Sequence, residues 1–222
     1  MFYSNSRNMF VSAILAVIFT SFSTGVSGAD LMGTSSYSVF DKLEESYFLR
    51  MNQKLKIANS LNKKEVKDQI SKVMSNYETG LDAGDMEKVS YHIYEQSQKY
   101  GYDPLFLTAL IVTESSFYNW AESNKGAVGL MQIKPDTGVV LAYETQVQWK
   151  GSPSLYSPDV NIALGTYYLS KLVSRYGDMG LALEAYNHGP TKLDAYLRNG
   201  YRPKVYSQKV LRLYSDLKSQ VI

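Results

Sequence analysis

The chain contains no cysteine, so a disulfide framework, a thiolate nucleophile, a zinc-cysteine cluster and a lipidated N-terminal cysteine are all excluded. Its stability must come from core packing alone. It has only two histidines, His92 and His188, too few for a histidine-rich metal site. An excess of one charge is missing too: 23 basic against 21 acidic residues leave a net charge of +2, with a pI near 8.5. That balance is too mild to argue for nucleic acid, and the Lys-rich stretch from Lys63 to Lys72 reads as a solvated face of mixed charge. Internal repeats and low-complexity tracts are absent. What remains, 45% hydrophobic and 20% charged over 222 residues, is the composition of a soluble globular domain with an extension.

The N-terminus departs from that composition. Arg7 gives a short positive region, Met9 to Phe22 is a nearly unbroken run of apolar and small residues, and Ser27-Gly28-Ala29 offers small residues for cleavage before Asp30. The run falls short of the roughly 20 residues needed to span a bilayer, so a cleaved secretory signal over residues 1–29 is expected rather than a membrane anchor. The mature protein is then exported, to the periplasm or cell envelope. Residues 30–84 read as a helical extension, with Phe40, Leu43, Tyr47, Phe48, Met51, Leu55 and Ile57 at helical spacing and Val66, Ile70, Val73 and Met74 forming a second segment. Asn76 to Gly84 is the joint, and residues 85–222 form the main domain.

That domain is organised around the stretch from Asp103 to Ile133. Asp103-Pro104 marks a helix start, and Leu105, Phe106, Leu107, Ala109, Leu110, Ile111 and Val112 put apolar residues on every face, which predicts a helix buried in the middle of the domain. Glu114 lies at its far end. Apolar neighbours one turn back and the negative end of the helix dipole both favour its protonated form, which is what a general acid requires. The rest predicts further helices: one ending at Tyr100-Gly101, one opening at Pro135, one over Asp159 to Tyr176, a short one over Leu181 to Tyr186, and two more near Thr191 to Arg198 and Pro203 to Lys218. Tyr118 to Gly129 and Gly151 to Pro158 read as loops, the first with room for a short hairpin. The predicted class is mainly α.

Three motifs follow in order: Glu114-Ser115-Ser116-Phe117 with Ser123; Gly126-Ala127-Val128-Gly129-Leu130-Met131-Gln132-Ile133, followed by Asn161; and Ala185-Tyr186-Asn187-His188-Gly189-Pro190. Together they resemble the soluble lytic transglycosylase (SLT) domain of bacteria, within the lysozyme-like superfamily, over about Asp85 to Ser215. The resemblance implies a goose-type lysozyme fold with a short sheet at most, peptidoglycan glycan strands as substrate, no cofactor and no metal. It places Glu114 on the single catalytic acid/base. It places Ser123, Gly129, Met131, Gln132, Tyr186, Asn187 and Tyr206 among the substrate-binding positions: Ser123 by the N-acetyl group of the reacting sugar, Gln132 in the cleft, Tyr186 and Asn187 near the acid, and Tyr206 reaching toward it from the last helix. By residue type alone, Met131 reads as core, Gly126 and Gly129 as turns or points of close backbone approach, and Gln132 as a polar residue between helices.

In such enzymes the β-1,4 bond between N-acetylmuramic acid and N-acetylglucosamine is cut with closure of a 1,6-anhydro ring. A second fixed carboxylate is then not required, and Glu122, Asp136 and Glu184 read as loop, capping and helix-surface residues. The alternatives are a hydrolytic lysozyme on the same fold and a non-catalytic peptidoglycan-binding or scaffold protein. Of the 19 tyrosines, most, Tyr167 and Tyr168 included, read as packing. Trp120 is a candidate sugar platform; Trp149 is not. Three positions depart from the family: His188 in place of alanine, Lys134 in place of methionine, and Arg202-Pro203 in place of Glu-Thr. Lys134 and His188 are expected in the cleft wall. For the extension, a brace on the catalytic domain is favoured over a docking element for an envelope or secretion-system partner, and a monomer is expected.

Overall fold

A computed structural model describes residues 62–220; the signal expected over 1–29 and the first helical segment expected in the extension lie outside the described residues. Helix starts follow the capping side chains. Asp103 accepts a hydrogen bond from the Leu105 amide at 2.9 Å and Pro104 opens the buried helix, as predicted. Asp82 accepts from the Asp85 amide at 2.8 Å and starts its helix at Ala83, so Gly84, expected in the joint, is already helical. Asp178 does the same for the helix from Met179.

In chain order the helices are α1 (62–74), α2 (Ala83–Tyr100), α3 (Pro104–Ser115), α4 (Pro135–Thr145), α5 (Pro158–Tyr176), α6 (Met179–His188), α7 (Pro190–Arg198) and α8 (Val205–Ser219). The proline-bounded loop before α5 contains a 3-10 turn, Ser152–Tyr156, which buries Leu155. The hairpin expected after Phe117 amounts, among the described residues, to two isolated antiparallel bridges, Glu122 with Val128 and Val128 with Ile133. No helix among them is long and apolar enough to cross a membrane.

Helices α2, α3, α8, α6 and α5 contact one another in that cyclic order, α5 packing back on α2. Helix α3 is buried from Leu105 to Ile111, and its one polar member there, Thr108, is satisfied by the Pro104 carbonyl at 2.9 Å. Helix α1 shares this core: Ile70 and Met74 are fully buried in the same cluster as Val89, Ile93 and Leu107. The outcome for function is a packed ring of helices with Glu114 in the last turn of α3.

Candidate active site

Helix α3 stops because Ser116 and Phe117 both take left-handed backbone conformations, φ 52° and 59°, which non-glycine residues adopt at a cost. Phe117, fully buried, anchors that turn. Ser115 donates to the Leu130 carbonyl at 2.9 Å, tying the helix end to the next loop. Glu114, one residue earlier, is thereby tied to the same helix end and loop.

The loop opposite is built by side chains that satisfy its backbone. Ser123 accepts from the amides of Ala127 at 3.0 Å and Lys125 at 3.3 Å, closing a tight turn. Asn161, fully buried on α5, accepts from the Met131 amide at 2.7 Å and donates to the carbonyls of Val128 at 2.9 Å and Leu155 at 2.8 Å. The Gln132 amide nitrogen donates to the carbonyls of Gly129 at 3.0 Å and Ala121 at 3.2 Å. Two carbonyls on one end of that amide fix its orientation. From α6, Tyr186 donates to the Met131 carbonyl at 2.8 Å.

Between these elements runs a groove of about 400 Å³, lined by Glu114, Ser123, Gln132, Lys134, Tyr168, Tyr186, Asn187 and His188, among others. The volume suits a small portion of a polymer. Among the described residues that line it, Glu114 is the only carboxylate. Desolvation pushes its carboxyl up to about 7, against the smaller opposing effects of the Tyr206 hydrogen bond and the Lys209 charge. Tyr206, from α8, donates to Glu114 Oε1. Burial, with the Glu114 charge and this hydrogen bond, pushes the Tyr206 phenol well above its usual range.

The family model for the transglycosylase SLT domain matches residues 92–208, more than half of the chain. The chain belongs to this family. The endo-type membrane-bound lytic murein transglycosylase A of Klebsiella pneumoniae is 43% identical over 76 residues, 33% of this chain and 37% of that protein. The transglycosylase of Enterobacteria phage PRD1 is 35% identical over 116 residues, 52% of this chain and 39% of that one. The solved structure of an inactive glutamate-to-glutamine mutant of lytic transglycosylase Slt from Pseudomonas aeruginosa matches with a TM-score of 0.52 at 26% identity, covering 59% of this chain and 24% of that one. The chain thus spans well under two thirds of the length of the relatives it matches.

Within the SLT domain, Glu114, Ser123, Gln132, Tyr186 and Asn187 come together on the groove, as do Lys134 and His188. Tyr206 touches Glu114 without being a groove-lining residue. Gly129 and Met131 serve packing instead. A Cβ at Gly129 would lie 2.3 Å from Asn161 Nδ2 and 2.4 Å from the Leu155 carbonyl, so its hydrogen faces protein. Met131 is fully buried against Gly165 and Thr166. Trp120 is about half exposed but is not among the groove-lining residues; its indole donates to the Gly80 carbonyl at 3.2 Å and its ring lies 5.3 Å from that of Tyr156. Trp149 packs over Gly138.

Two residues that the sequence assigns to packing or surface stand elsewhere in the structure. Tyr168 lines the groove, its ring 5.3 Å from Tyr186; it lies two turns after Asn161 on α5, a spacing that signals a shared face. Glu184 is fully buried, not on the helix surface, because its carboxylate is taken up by Ser207 of α8.

Proposed function

We propose that this protein is an exported peptidoglycan lytic transglycosylase in which Glu114 serves as both acid and base. The observation that carries the proposal is a carboxyl desolvated enough to hold its proton near neutrality, on a groove that no second carboxylate lines among the described residues. Hydrolysis of a glycoside normally uses a pair of carboxyl groups flanking the bond. Glu184, on the helix that carries Tyr186, is bonded to Ser207 and buried.

One carboxyl suffices if the substrate supplies the rest. Glu114 protonates the bridging oxygen as the bond from the muramic acid C1 breaks, and the sugar's own 2-acetamido oxygen stabilises the positive centre. The Glu114 carboxylate then removes the proton from the C6 hydroxyl, whose oxygen bonds to C1 and closes the 1,6-anhydro ring. The proton returns to Glu114 and no water enters. Ser123, Gln132, Tyr186 and Asn187 border the path that the glycan takes, with Tyr206 donating a hydrogen bond to the acid. Membrane-bound lytic murein transglycosylases among the relatives support an envelope location, in line with the N-terminal apolar run.

Digestion of purified sacculi is the test. Release of 1,6-anhydromuropeptides by the wild type, and none by Glu114→Gln, is the expected result. Products heavier by one water, with reducing ends, would replace the transglycosylase with a lysozyme, and sacculus binding without turnover would replace it with a scaffold.

A further inference from the structure

Glu184 is an expensive residue to bury. Its side chain is fully enclosed on α6, and although Oε1 accepts from both the Ser207 amide and the Ser207 hydroxyl at 2.8 Å, Oε2 has no hydrogen-bond partner. That second oxygen faces His188 Nε2 on the groove wall at 3.4 Å. Ser207 belongs to the first turn of α8, whose preceding residue, Lys204, supplies no side-chain cap. Glu184 therefore performs the capping function from another helix, its Oε1 an acceptor set against the positive end of α8. The neighbouring residue on that turn is Tyr206, which donates to Glu114.

We propose that Glu184 is a positioning residue for the acid: by clamping the first turn of α8 through Ser207, it holds the Tyr206 hydroxyl on Glu114. The proposal rests on Glu114 being the acid/base. The chain of contact is short, running from α6 through Glu184 to Ser207, then by one peptide step to Tyr206 and on to Glu114. It couples the helix that carries Tyr186 and Asn187 to the helix that orients the proton donor. His188 stands over the free carboxylate oxygen, between this clamp and the groove. The titratable groups facing Glu114 are Tyr206 and Lys209 from α8 and Tyr186 from α6; those facing Glu184 are His188 and Tyr206.

The Tyr206 hydrogen bond draws the Glu114 carboxyl downward, so a slack α8 should let it rise. The experiment titrates Glu114 by carboxyl carbon NMR in the whole protein, comparing wild type, Tyr206→Phe, Glu184→Ala and the double variant, with kcat and KM on sacculi measured alongside. Glu184→Ala should raise the Glu114 midpoint in the same direction as Tyr206→Phe, by roughly half a unit or more, and the double variant should rise no further than Tyr206→Phe alone. kcat should fall roughly tenfold with KM changed less than about twofold. Glu184→Gln, which keeps an acceptor for Ser207, should restore most of kcat, and it serves as the readout should the alanine variant not fold. A Glu184→Ala protein that loses thermal stability while its Glu114 midpoint stays put overturns the proposal, as do strictly additive shifts or a Glu184→Gln protein as slow as the alanine variant. Absence of anhydro products from the wild type would defeat the catalytic reading while leaving the NMR midpoint to judge the clamp.

Discussion

Glu114 is placed where its charged form is poorly supported: apolar helix behind, one phenol in front and Lys209 as the charge that eases it. The consequence for stability has a definite sign. Below about pH 4.5 the carboxyl is neutral in both folded and unfolded chains, and nothing is lost. Above that, the unfolded chain ionises first, so the contribution declines until pH passes about 7. A rise from 4.5 to about 7 corresponds to about 3 kcal/mol. Glu114→Gln should accordingly match the wild type in urea denaturation at pH 4 and exceed it by about 3 kcal/mol at pH 8. The same ionisation sets activity: kcat/KM should fall with rising pH around a midpoint near 7, since the working form of the free enzyme carries the proton. A flat profile between pH 5 and 9 would remove Glu114 from the acid role. That the residue was legible in sequence follows from its local setting, an apolar run ending in Glu-Ser-Ser-Phe. Glu184 was not legible, because its partner Ser207 lies 23 positions away and nothing in Leu183-Glu184-Ala185 distinguishes a buried acid from a surface one.

At the scale of elements, the loop from Phe117 to Ile133 has little regular structure and is shaped by side chains that satisfy its backbone, Asn161 above all. Its two glycines look alike in sequence and differ in physics. Gly126, φ +72°, has open space where a Cβ would go, so Gly126→Ala should cost about 1 kcal/mol, the strain of a left-handed residue. Gly129, φ +79°, would drive a Cβ into Asn161 and the Leu155 carbonyl, so Gly129→Ala should cost more than about 3 kcal/mol. Asn161→Ala leaves the Met131 amide and two carbonyls without their partner and belongs in the same range, about 3–5 kcal/mol. Urea midpoints for the three variants test this ordering; equal losses at the two glycines would mean that Asn161 does not hold the loop as described. The helices themselves were readable from aspartate caps, prolines at first positions and glycines at ends, whereas this loop was not, because its geometry is imposed by a residue from α5.

For the whole molecule, α1 and the joint after it decide whether residues before 85 matter to the site. Ile70 and Met74 are buried in the common core, and Ser71 shares a hydrogen bond with Ser90 of α2 at 2.7 Å. The joint also reaches the turn that follows the acid: the Asn119 amide donates to the Thr79 carbonyl at 2.9 Å and the Trp120 indole to the Gly80 carbonyl at 3.2 Å. Asn119 in turn donates through its side chain to the Tyr156 carbonyl at 3.0 Å, so the contact passes on toward the base of α5. These contacts support a brace rather than a free docking arm for this part of the extension. Removing residues up to Leu81 would expose the pocket that Ile70 and Met74 fill, a loss of about 3–6 kcal/mol at 1.5–3 kcal/mol per fully buried side chain. A chain of this size should then melt roughly 6–24 °C lower. With Thr79 and Gly80 gone, the turn at Asn119-Trp120 also loses its outer support, so the truncated protein should release anhydromuropeptides more slowly even well below its melting temperature. Calorimetry and sacculus digestion on a protein beginning at Asp82 measure both effects. Unchanged melting and unchanged turnover would mean that the brace carries no load, and would return the extension to the docking role.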